Sequence, residues 1–194
     1  MSLEHILLGA LREPATGYEL GKELAESAGH YWPAERSQIY PTLRRLQQRG
    51  WLAVSDEPSE RGPRRKVYAT TDEGRAELRR WLLSGPQIGR ERLGYIAQIV
   101  MLGELDDFVA GLGVIRQMQA RWKQTLSLFE FLETEGIAAS GDWTGRPPDE
   151  FFRLAALRNG MYQMRAKLAW CDEMIERLEA RSSAAAPVPV EENR

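Results

Sequence analysis

The chain has 194 residues, of which 43% are hydrophobic and 28% charged, and its formal net charge is −2 at pH 7. No apolar run approaches the roughly 18 residues that a membrane-spanning helix needs, so we expect a soluble protein without membrane contact, built from one large or two small domains. A single cysteine, Cys171, excludes an internal disulfide, and with only two histidines a zinc site is not expected. We therefore expect no metal and no cofactor. No basic leader is seen at the N-terminus, so a secretory signal is not expected, and the single cysteine indicates a reducing cytoplasm.

Positive charge is concentrated in one short stretch of the chain. Residues 36–66 carry eight Lys or Arg against three Asp or Glu, whereas residues 86–194 carry 13 against 16. Such a patch on an otherwise acidic chain is an electrostatic footprint of nucleic-acid binding. A solvated charged face is the commoner origin of a charge cluster, so the predicted elements have to separate the two interpretations.

The first 85 residues begin with three predicted helices. The first ends before Pro14, the second is capped by Thr16, and the third runs from after Pro33 to about Arg49. Helical spacing of apolar residues defines one buried face on each of them. These helices are expected to enclose a small core.

Two strands and a fourth helix follow. The strands are predicted over 51–57 and 66–70, with a turn-rich charged segment between them, and Thr71 caps the fourth helix. The order of three helices, hairpin and helix is that of a winged helix-turn-helix. The segment between the strands then projects as the wing.

The remainder of the chain is predicted to be helical. The expected helices cover about 91–103, 106–133 with Asp106 as its cap, and 148–180. The apolar stripe of the first of these is Leu93, Ile96, Val100 and Met101. We therefore predict a mostly α-helical protein with a small β-hairpin: a winged helix-turn-helix domain over 1–85, an all-helical dimerisation domain over 90–181 and a disordered tail over 182–194.

The last predicted helix carries the most regular pattern in the sequence. Eight side chains follow alternating spacings of three and four residues: Leu154, Leu157, Met161, Met164, Leu168, Cys171, Ile175 and Leu178. Such a heptad seam packs either on the preceding helix of the same chain or across a two-fold axis in a dimer. The length of the seam favours both together, and hence a homodimer.

The third helix presents a polar face opposite its core residues Ile39, Leu43 and Leu46. The outward or marginal residues are Ser37, Gln38, Tyr40, Pro41, Arg44, Arg45 and Gln48. Arginine and glutamine are the side chains that bind guanine and adenine edges in the major groove. The predicted wing adds Arg64, Arg65 and Lys66 after the turn at Gly62-Pro63. A helix in the major groove with a basic loop over the adjoining backbone fits one DNA duplex.

At these residues the sequence resembles the PadR family of bacterial transcriptional regulators. The motifs that carry the resemblance are Gly17-Tyr18-Glu19-Leu20, Ile39-Tyr40-Pro41-Thr42-Leu43-Arg44-Arg45-Leu46, Gly50-Trp51-Leu52, Arg65-Lys66-Val67-Tyr68 and Thr70-Thr71-Asp72-Glu73-Gly74. The Tyr-Pro pair inside a helix is distinctive because proline is costly there. The C-terminal half, by its length and helicity, is similar to the longer subfamily of virulence-activator-type regulators.

The resemblance implies a winged-helix DNA-binding domain followed by a helical dimerisation domain. It implies that Tyr40 and Thr42 are recognition-helix contacts and that Arg64 to Lys66 form the basic wing, while Tyr18 and Tyr68 are expected to buttress helix and wing. The function it implies is a repressor that binds an inverted-repeat operator as a homodimer.

Three alternatives to this interpretation are an enzyme, a winged helix that binds only proteins, and a regulator with a small-molecule effector site. No nucleotide-binding, metalloprotease or nucleophile motif is present, so an enzyme is not expected. A winged helix used only for protein contacts would leave the basic patch unexplained. A small-molecule effector site is one interpretation of the C-terminal aromatic and methionine residues, ordinary helix core being the favoured one: Trp122, Trp143, Trp170, Tyr162, Met161 and Met164.

Overall fold

A computed structural model describes residues 3–25, 36–59, 62–86, 88–89, 92–134 and 143–184 of the chain. In chain order its elements are α1 (Leu3–Ala10), β1 (Ala15–Thr16), α2 (Gly17–Glu23), α3 (Arg36–Gln48), β2 (Leu52–Ser59), β3 (Gly62–Thr70), α4 (Asp72–Leu83), α5 (Gly94–Met101), a 3₁₀ helix (Leu102–Leu105), α6 (Phe108–Leu132) and α7 (Pro148–Ala184). The chain divides into two compact units, Met1–Glu91 and Arg92–Arg194. The predicted fold class, a winged helix followed by helices, is confirmed.

Helices α1, α2 and α3 enclose the core of the N-terminal unit, with the sheet and α4 beside them. Its buried side chains are Leu7, Leu8, Leu11, Leu20, Leu24, Ile39, Leu43, Leu46, Leu52 and Tyr68. The three residues predicted for the inner face of the third helix are all in this set. Burial of each large aliphatic side chain contributes about 1.5–3 kcal/mol to the stability of the fold, so this core stabilises the N-terminal unit.

The sheet has three strands in the order β1-β3-β2, all antiparallel. The two-residue strand β1 pairs Ala15 with Tyr68 and was not predicted, because so short a segment carries no alternating pattern. The hairpin strands are longer than predicted and pair as far as Ser59 with Gly62, past an irregularity after Glu57. Much of the segment taken for a turn is therefore strand. Its described side chains Pro58, Arg64 and Arg65 are exposed, so no apolar alternation marked this strand in the sequence.

Two threonine caps fix the ends of helices in the N-terminal unit. Thr16 forms a capping box at α2: Glu19 N donates to Thr16 Oγ1 at 3.2 Å, and Thr16 N donates to Glu19 Oε2 at 2.8 Å. Thr71 caps α4, accepting from Gly74 N and donating to the Gly50 carbonyl. A side chain at Gly74 would overlap the carbonyl oxygen of Trp51, so glycine lets α4 start directly against the hairpin. Both predicted caps are confirmed.

Helices α6 and α7 form an antiparallel pair in the C-terminal unit. Polar links run along it from Arg116–Glu179 (2.6 Å) through Glu130–Arg165 (3.2 Å) to Glu133–Arg158. The cap of α6 is Asp107, whose carboxylate accepts from Val109 N and Ala110 N, and the prediction of Asp106 was wrong by one residue. Asp106 instead has a left-handed backbone with φ of 48°, which ends the preceding 3₁₀ helix.

The heptad seam of α7 faces the α6 helix of its own chain. Leu154, Met161 and Cys171 are buried there, and the Cys171 thiol lies 3.9 Å from the Ile115 carbonyl oxygen. Leu157, Met164, Leu168, Ile175 and Leu178 are half-buried. The seam therefore packs on the preceding helix of the same chain, which was one half of the prediction, and its part in dimerisation stays a prediction.

The other C-terminal predictions concern the start of the tail and the apolar stripe of α5. The α7 helix reaches Ala184, so the tail predicted from 182 starts at least three residues too early; residues 185–194 lie outside the described residues. The predicted stripe on α5 is exposed at Leu93, Ile96, Val100 and Met101 rather than packed. No helix in the described part of the chain is long and apolar enough to span a membrane.

Candidate nucleic-acid interface

Helix α3 separates an inner apolar face from an outer polar face. Ser37, Gln38, Pro41, Arg44 and Gln48 are exposed, as predicted from the helical period. Tyr40 is 53% exposed, although Gly17 of α2 lies against its ring. A Cβ atom on Gly17 would come within 2.6 Å of Tyr40 Cε1, so this glycine makes room for the tyrosine.

Thr42 differs from the other predicted contact residues of α3. Its side chain is 2% exposed, its Oγ1 donates to the Gln38 carbonyl at 2.7 Å, and it accepts from Arg45 Nη2 at 2.9 Å. The hydroxyl is therefore satisfied inside the protein and orients Arg45. The helical period could not predict this, because the burial and the hydrogen bonds of Thr42 depend on the residues that pack around it.

Two arginines near the end of α3 are bound by an acidic residue of α1. Arg45 Nε donates to Glu4 Oε1 at 3.3 Å, and Arg49 Nη1 donates to Glu4 Oε2 at 2.7 Å. The Arg49 guanidinium also lies 5.0 Å from the centroid of the Trp51 ring. Sequence reasoning missed Glu4, since a separation of 41 or 45 residues leaves no local signal.

A groove of about 570 Å³ lies between α2, α3 and β3. Its lining combines three tyrosines with three cations and one acid: Tyr18, Tyr40, Tyr68, Arg44, Arg65, Lys66 and Glu19, among others. Arg44, Lys66 and Tyr40 make no side-chain hydrogen bond or ion pair within the part of the chain that the structure describes. The groove thus presents two positively charged side chains, Arg44 and Lys66, that have no such partner among the described residues and lie beside tyrosine hydroxyl groups.

The tyrosines and the acid of the groove differ in burial and titration. Tyr68 is buried in the core, as expected, and desolvation raises the pKa of its hydroxyl, with the nearby Tyr40 adding to the effect. Tyr18 is 63% exposed and lines the groove rather than the core, so its expected role of buttressing helix and wing stays a prediction. Hydrogen bonds from the Thr16 backbone and hydroxyl lower the pKa of Glu19, which keeps this carboxylate charged.

The three predicted wing cations have different environments on β3. Arg64 Nη2 donates to the Asp56 carbonyl at 2.7 Å, and Arg65 Nη2 lies 3.5 Å from Glu57 Oε2 across the hairpin. Lys66 is exposed and stands opposite Asp56 in the strand register. Arg65 and Lys66 line the groove, whereas Arg64 lies farther along the wing.

The C-terminal residues weighed as an effector site separate into two aromatic clusters. Trp122 and Trp170 are in edge contact at 6.4 Å, with Tyr95 at 5.3 Å from Trp122 and the Lys167 ammonium over both Tyr95 and Trp122. The second cluster joins Trp143 to Phe151 at 5.1 Å. Met161 is core, and Tyr162 is exposed. Across the described ranges, no His, Cys, Asp and Glu group suited to a metal ion was found.

The three-helix core, the hairpin and the basic groove define the winged-helix class of proteins. A model of the "Transcriptional regulator PadR-like family" matches residues 6–80, and a model of "Virulence activator alpha C-term" matches residues 103–179. The chain therefore carries a PadR-like transcriptional-regulator domain, followed by a C-terminal region of the virulence-activator type. The resemblance stated from the motifs is confirmed, as is the expectation that the chain is not an enzyme.

Two relatives agree with this assignment. The chain is 29% identical over 191 residues to "Probable transcriptional regulator Rv1176c" of Mycobacterium tuberculosis, covering 93% of this chain and 100% of that protein. It is 34% identical over 82 residues to "Negative transcriptional regulator PadR" of Bacillus subtilis, covering 42% and 45% of the two chains.

Solved structures share the fold over most of the chain. Bacillus subtilis PadR in complex with operator DNA has a TM-score of 0.79 at 22% identity, covering 89% of this chain and 97% of that chain. The same protein in complex with p-coumaric acid has a TM-score of 0.75 at 21% identity, covering 91% and 98%. The Vibrio cholerae virulence activator AphA has a TM-score of 0.70 at 22% identity, covering 93% and 99%.

Proposed function

We propose that this transcriptional regulator binds duplex DNA sequence-specifically in the cytoplasm, as a homodimer on an inverted-repeat operator, and acts as a repressor. The proposal rests on the groove between α3 and the wing. There, Arg44 and Lys66 lie beside Tyr40 and have no ion-pair or hydrogen-bond partner among the described residues. In this proposal Gln38 and Arg44 bind base edges, with Ser37 and Tyr40 beside them, while Arg64, Arg65 and Lys66 bind backbone phosphates. Thr42 is buried and hydrogen-bonded to Arg45, so it does not bind DNA in this proposal.

The homodimer is supported by apolar side chains that the C-terminal unit leaves exposed. Val100 is 77% exposed, and Met101, Val109 and Phe152 are each about two-thirds exposed. Because exposed apolar groups of this number are typical of protein interfaces, we propose these rather than the buried part of the seam as dimer contacts. Two recognition helices would then reach half-sites about one helical turn apart, or a multiple of it.

Repression and effector control are proposed from relatives. The B. subtilis relative is named a negative regulator, which supports repression, whereas the fold neighbour AphA is named an activator, which makes activation the alternative. The complex of B. subtilis PadR with p-coumaric acid supports a small-molecule effector here. The half-buried cluster of Tyr95, Trp122 and Trp170 offers aromatic faces to such a molecule.

Selection of binding sites from a random duplex library with the full-length chain tests the proposal. We expect an inverted repeat, bound by a dimer. Arg44→Ala should cost about 1–3 kcal/mol on the selected duplex and relax base preference, because a base contact is lost. Lys66→Ala should weaken all duplexes and lower the slope of log K against log salt by about one.

Arg79→Ala is the matched control for these two variants. Arg79 is an exposed arginine of α4 that forms no ion pair with a described residue, and its loss removes the same charge from the same unit. It should leave base preference and salt slope nearly unchanged. A salt-independent or sequence-independent interaction would instead favour a winged helix used for protein contacts, and a base preference altered more by Lys66→Ala than by Arg44→Ala would reverse the assigned roles.

A further inference from the structure

The arginines at the C-terminal end of α3 share one carboxylate of α1. Glu4 accepts a hydrogen bond from Arg45 and another from Arg49, one on each of its oxygens. The Glu4 side chain is 15% exposed, whereas both arginines are about half exposed. Removal of water around the carboxylate strengthens these ion pairs relative to fully exposed ones.

Each arginine is also held from a second direction. Arg45 Nη2 donates to Thr42 Oγ1, and that buried hydroxyl donates in turn to the Gln38 carbonyl. Arg49 lies over the Trp51 ring, where its guanidinium gains a cation–π contact. Both guanidinium groups are therefore fixed in place and partly neutralised without any contribution from DNA.

Two pairs of cations on α3 and the wing thus differ in whether they have an ion-pair partner among the described residues. Arg44 and Lys66 are uncommitted, whereas Arg45 and Arg49 are paired with Glu4. A DNA phosphate that approached Arg45 or Arg49 would have to compete with a carboxylate that offers the same oxygen-acceptor geometry. Phosphate contacts supply nearly all of non-specific DNA affinity, while base contacts supply the discrimination.

We infer that Glu4 is a specificity-determining residue: it withholds Arg45 and Arg49 from backbone phosphates and thereby lowers affinity for non-specific DNA. Base reading by Arg44 and Gln38 is left intact. The inference rests on the proposed DNA-binding function. It assigns to α1, an element outside the recognition helix and the wing, a direct effect on the ratio of specific to non-specific binding.

Glu4→Gln in the full-length chain tests this inference. The probes are the duplex selected by the parent chain and a scrambled duplex of the same length and composition, each titrated between about 50 and 200 mM salt. We expect the variant to bind the scrambled duplex more tightly. Its salt slope should steepen by about one to two, since each additional phosphate contact contributes roughly 0.9. The affinity ratio between the two duplexes should fall.

Glu13→Gln is the charge-matched control. Glu13 is an exposed acid of the same unit that pairs with no described residue, so its loss changes net charge without releasing an arginine. It should leave the salt slope at the parent value. An equal effect of the two variants, or a Glu4→Gln slope equal to that of the parent, would overturn the inference and leave Glu4 as a tie between α1 and α3.

Substitutions of the arginines themselves test the same inference if Glu4→Gln unfolds the N-terminal unit. Arg49→Gln should barely change the salt slope in the parent background, because that arginine is withheld from phosphates, whereas Lys66→Gln should lower it by about one. A slope lowered equally by Arg49→Gln would contradict the inference. Failure of the proposed function looks different: the parent would then bind selected and scrambled duplexes equally, while the slopes on the scrambled duplex still report on Glu4.

Discussion

The two units of the chain bury their apolar side chains to different degrees. In the N-terminal unit three helices and a sheet surround ten buried residues. In the C-terminal unit α6 and α7 bury a narrower line of side chains, among them Ile115, Phe129, Leu154 and Met161, and leave several large apolar groups exposed. α5 has no buried residue at all.

The difference follows from the geometry of packed layers. Helices arranged around a sheet can close a core on all sides, whereas two paired helices cover only one stripe of each other. The N-terminal unit is therefore complete in itself and can present its polar groups to a ligand. The C-terminal unit has apolar surface left over, which is the physical basis for the proposed homodimer.

The largest expected effect is a loss of stability when a charged side chain replaces an apolar one in the buried contact between α6 and α7. Met161→Asp should destabilise the C-terminal unit by about 4 kcal/mol or more, because Met161 is buried within the chain and an unpaired carboxylate there has no partner. Thermal unfolding followed by circular dichroism measures the loss. The N-terminal unit has its own core and should retain its transition.

Val109→Asp is the contrasting variant, since Val109 is 65% exposed at the start of α6. It should leave the helix pair folded and shift the dimer towards monomer, as measured by sedimentation. Operator affinity should then fall, because each half-site alone lacks the gain of linkage. A folded monomer that retains full operator affinity would separate assembly from DNA binding.

A smaller effect is expected where the hairpin meets α4. Gly74→Ala should cost about 3 kcal/mol, because its methyl group would overlap the Trp51 carbonyl oxygen and backbone cannot yield easily. Gly160→Ala is the counterpart in the C-terminal unit: its methyl group meets the edge of the Phe129 ring at 2.8 Å. That side chain can shift, and alanine gains about 1 kcal/mol of helix propensity. Equal losses in denaturant titrations would contradict the distinction between backbone and side-chain neighbours.

The smallest expected effect concerns the capping box of α2. Thr16→Ala should cost about 1 kcal/mol at pH 7. The pKa of Glu19 is lowered in the folded chain by hydrogen bonds from the Thr16 backbone, which alanine keeps, and from the Thr16 hydroxyl, which alanine removes. The contribution of the hydroxyl is present above the unfolded pKa of Glu19 and is lost as pH falls through the folded value. The difference between variant and parent should therefore narrow in acid.

Thr125→Ala in α6 is the control for this cap. Among the described residues, the Thr125 hydroxyl donates only to the Arg121 carbonyl of its own helix. Alanine has the higher helix propensity, so the change should be within a few tenths of a kcal/mol, of either sign. A cost as large as that of Thr16→Ala would show that the loss is general to threonine rather than due to capping.

Local chemistry explains which expectations held. The caps at Thr16 and Thr71, the inner face of α3 and the hairpin each depend on residues close together in sequence, and each was correctly predicted. The error at Asp106 arose because two adjacent aspartates offer equivalent caps, and backbone geometry chose Asp107. The missed strand β1 exists only because β3 supplies its hydrogen bonds.

The sequence by itself indicated the PadR-like domain, the order of the helices and the hairpin, and the outward polar face of α3, because helical period, turn residues and short motifs are local. Only the tertiary structure decided which groups of that face are uncommitted. Glu4 pairs with arginines more than 40 residues away, Thr42 is buried by its neighbours, and the seam of α7 is covered by α6. These outcomes depend on distances between elements far apart in the chain, which spacing along a sequence does not encode.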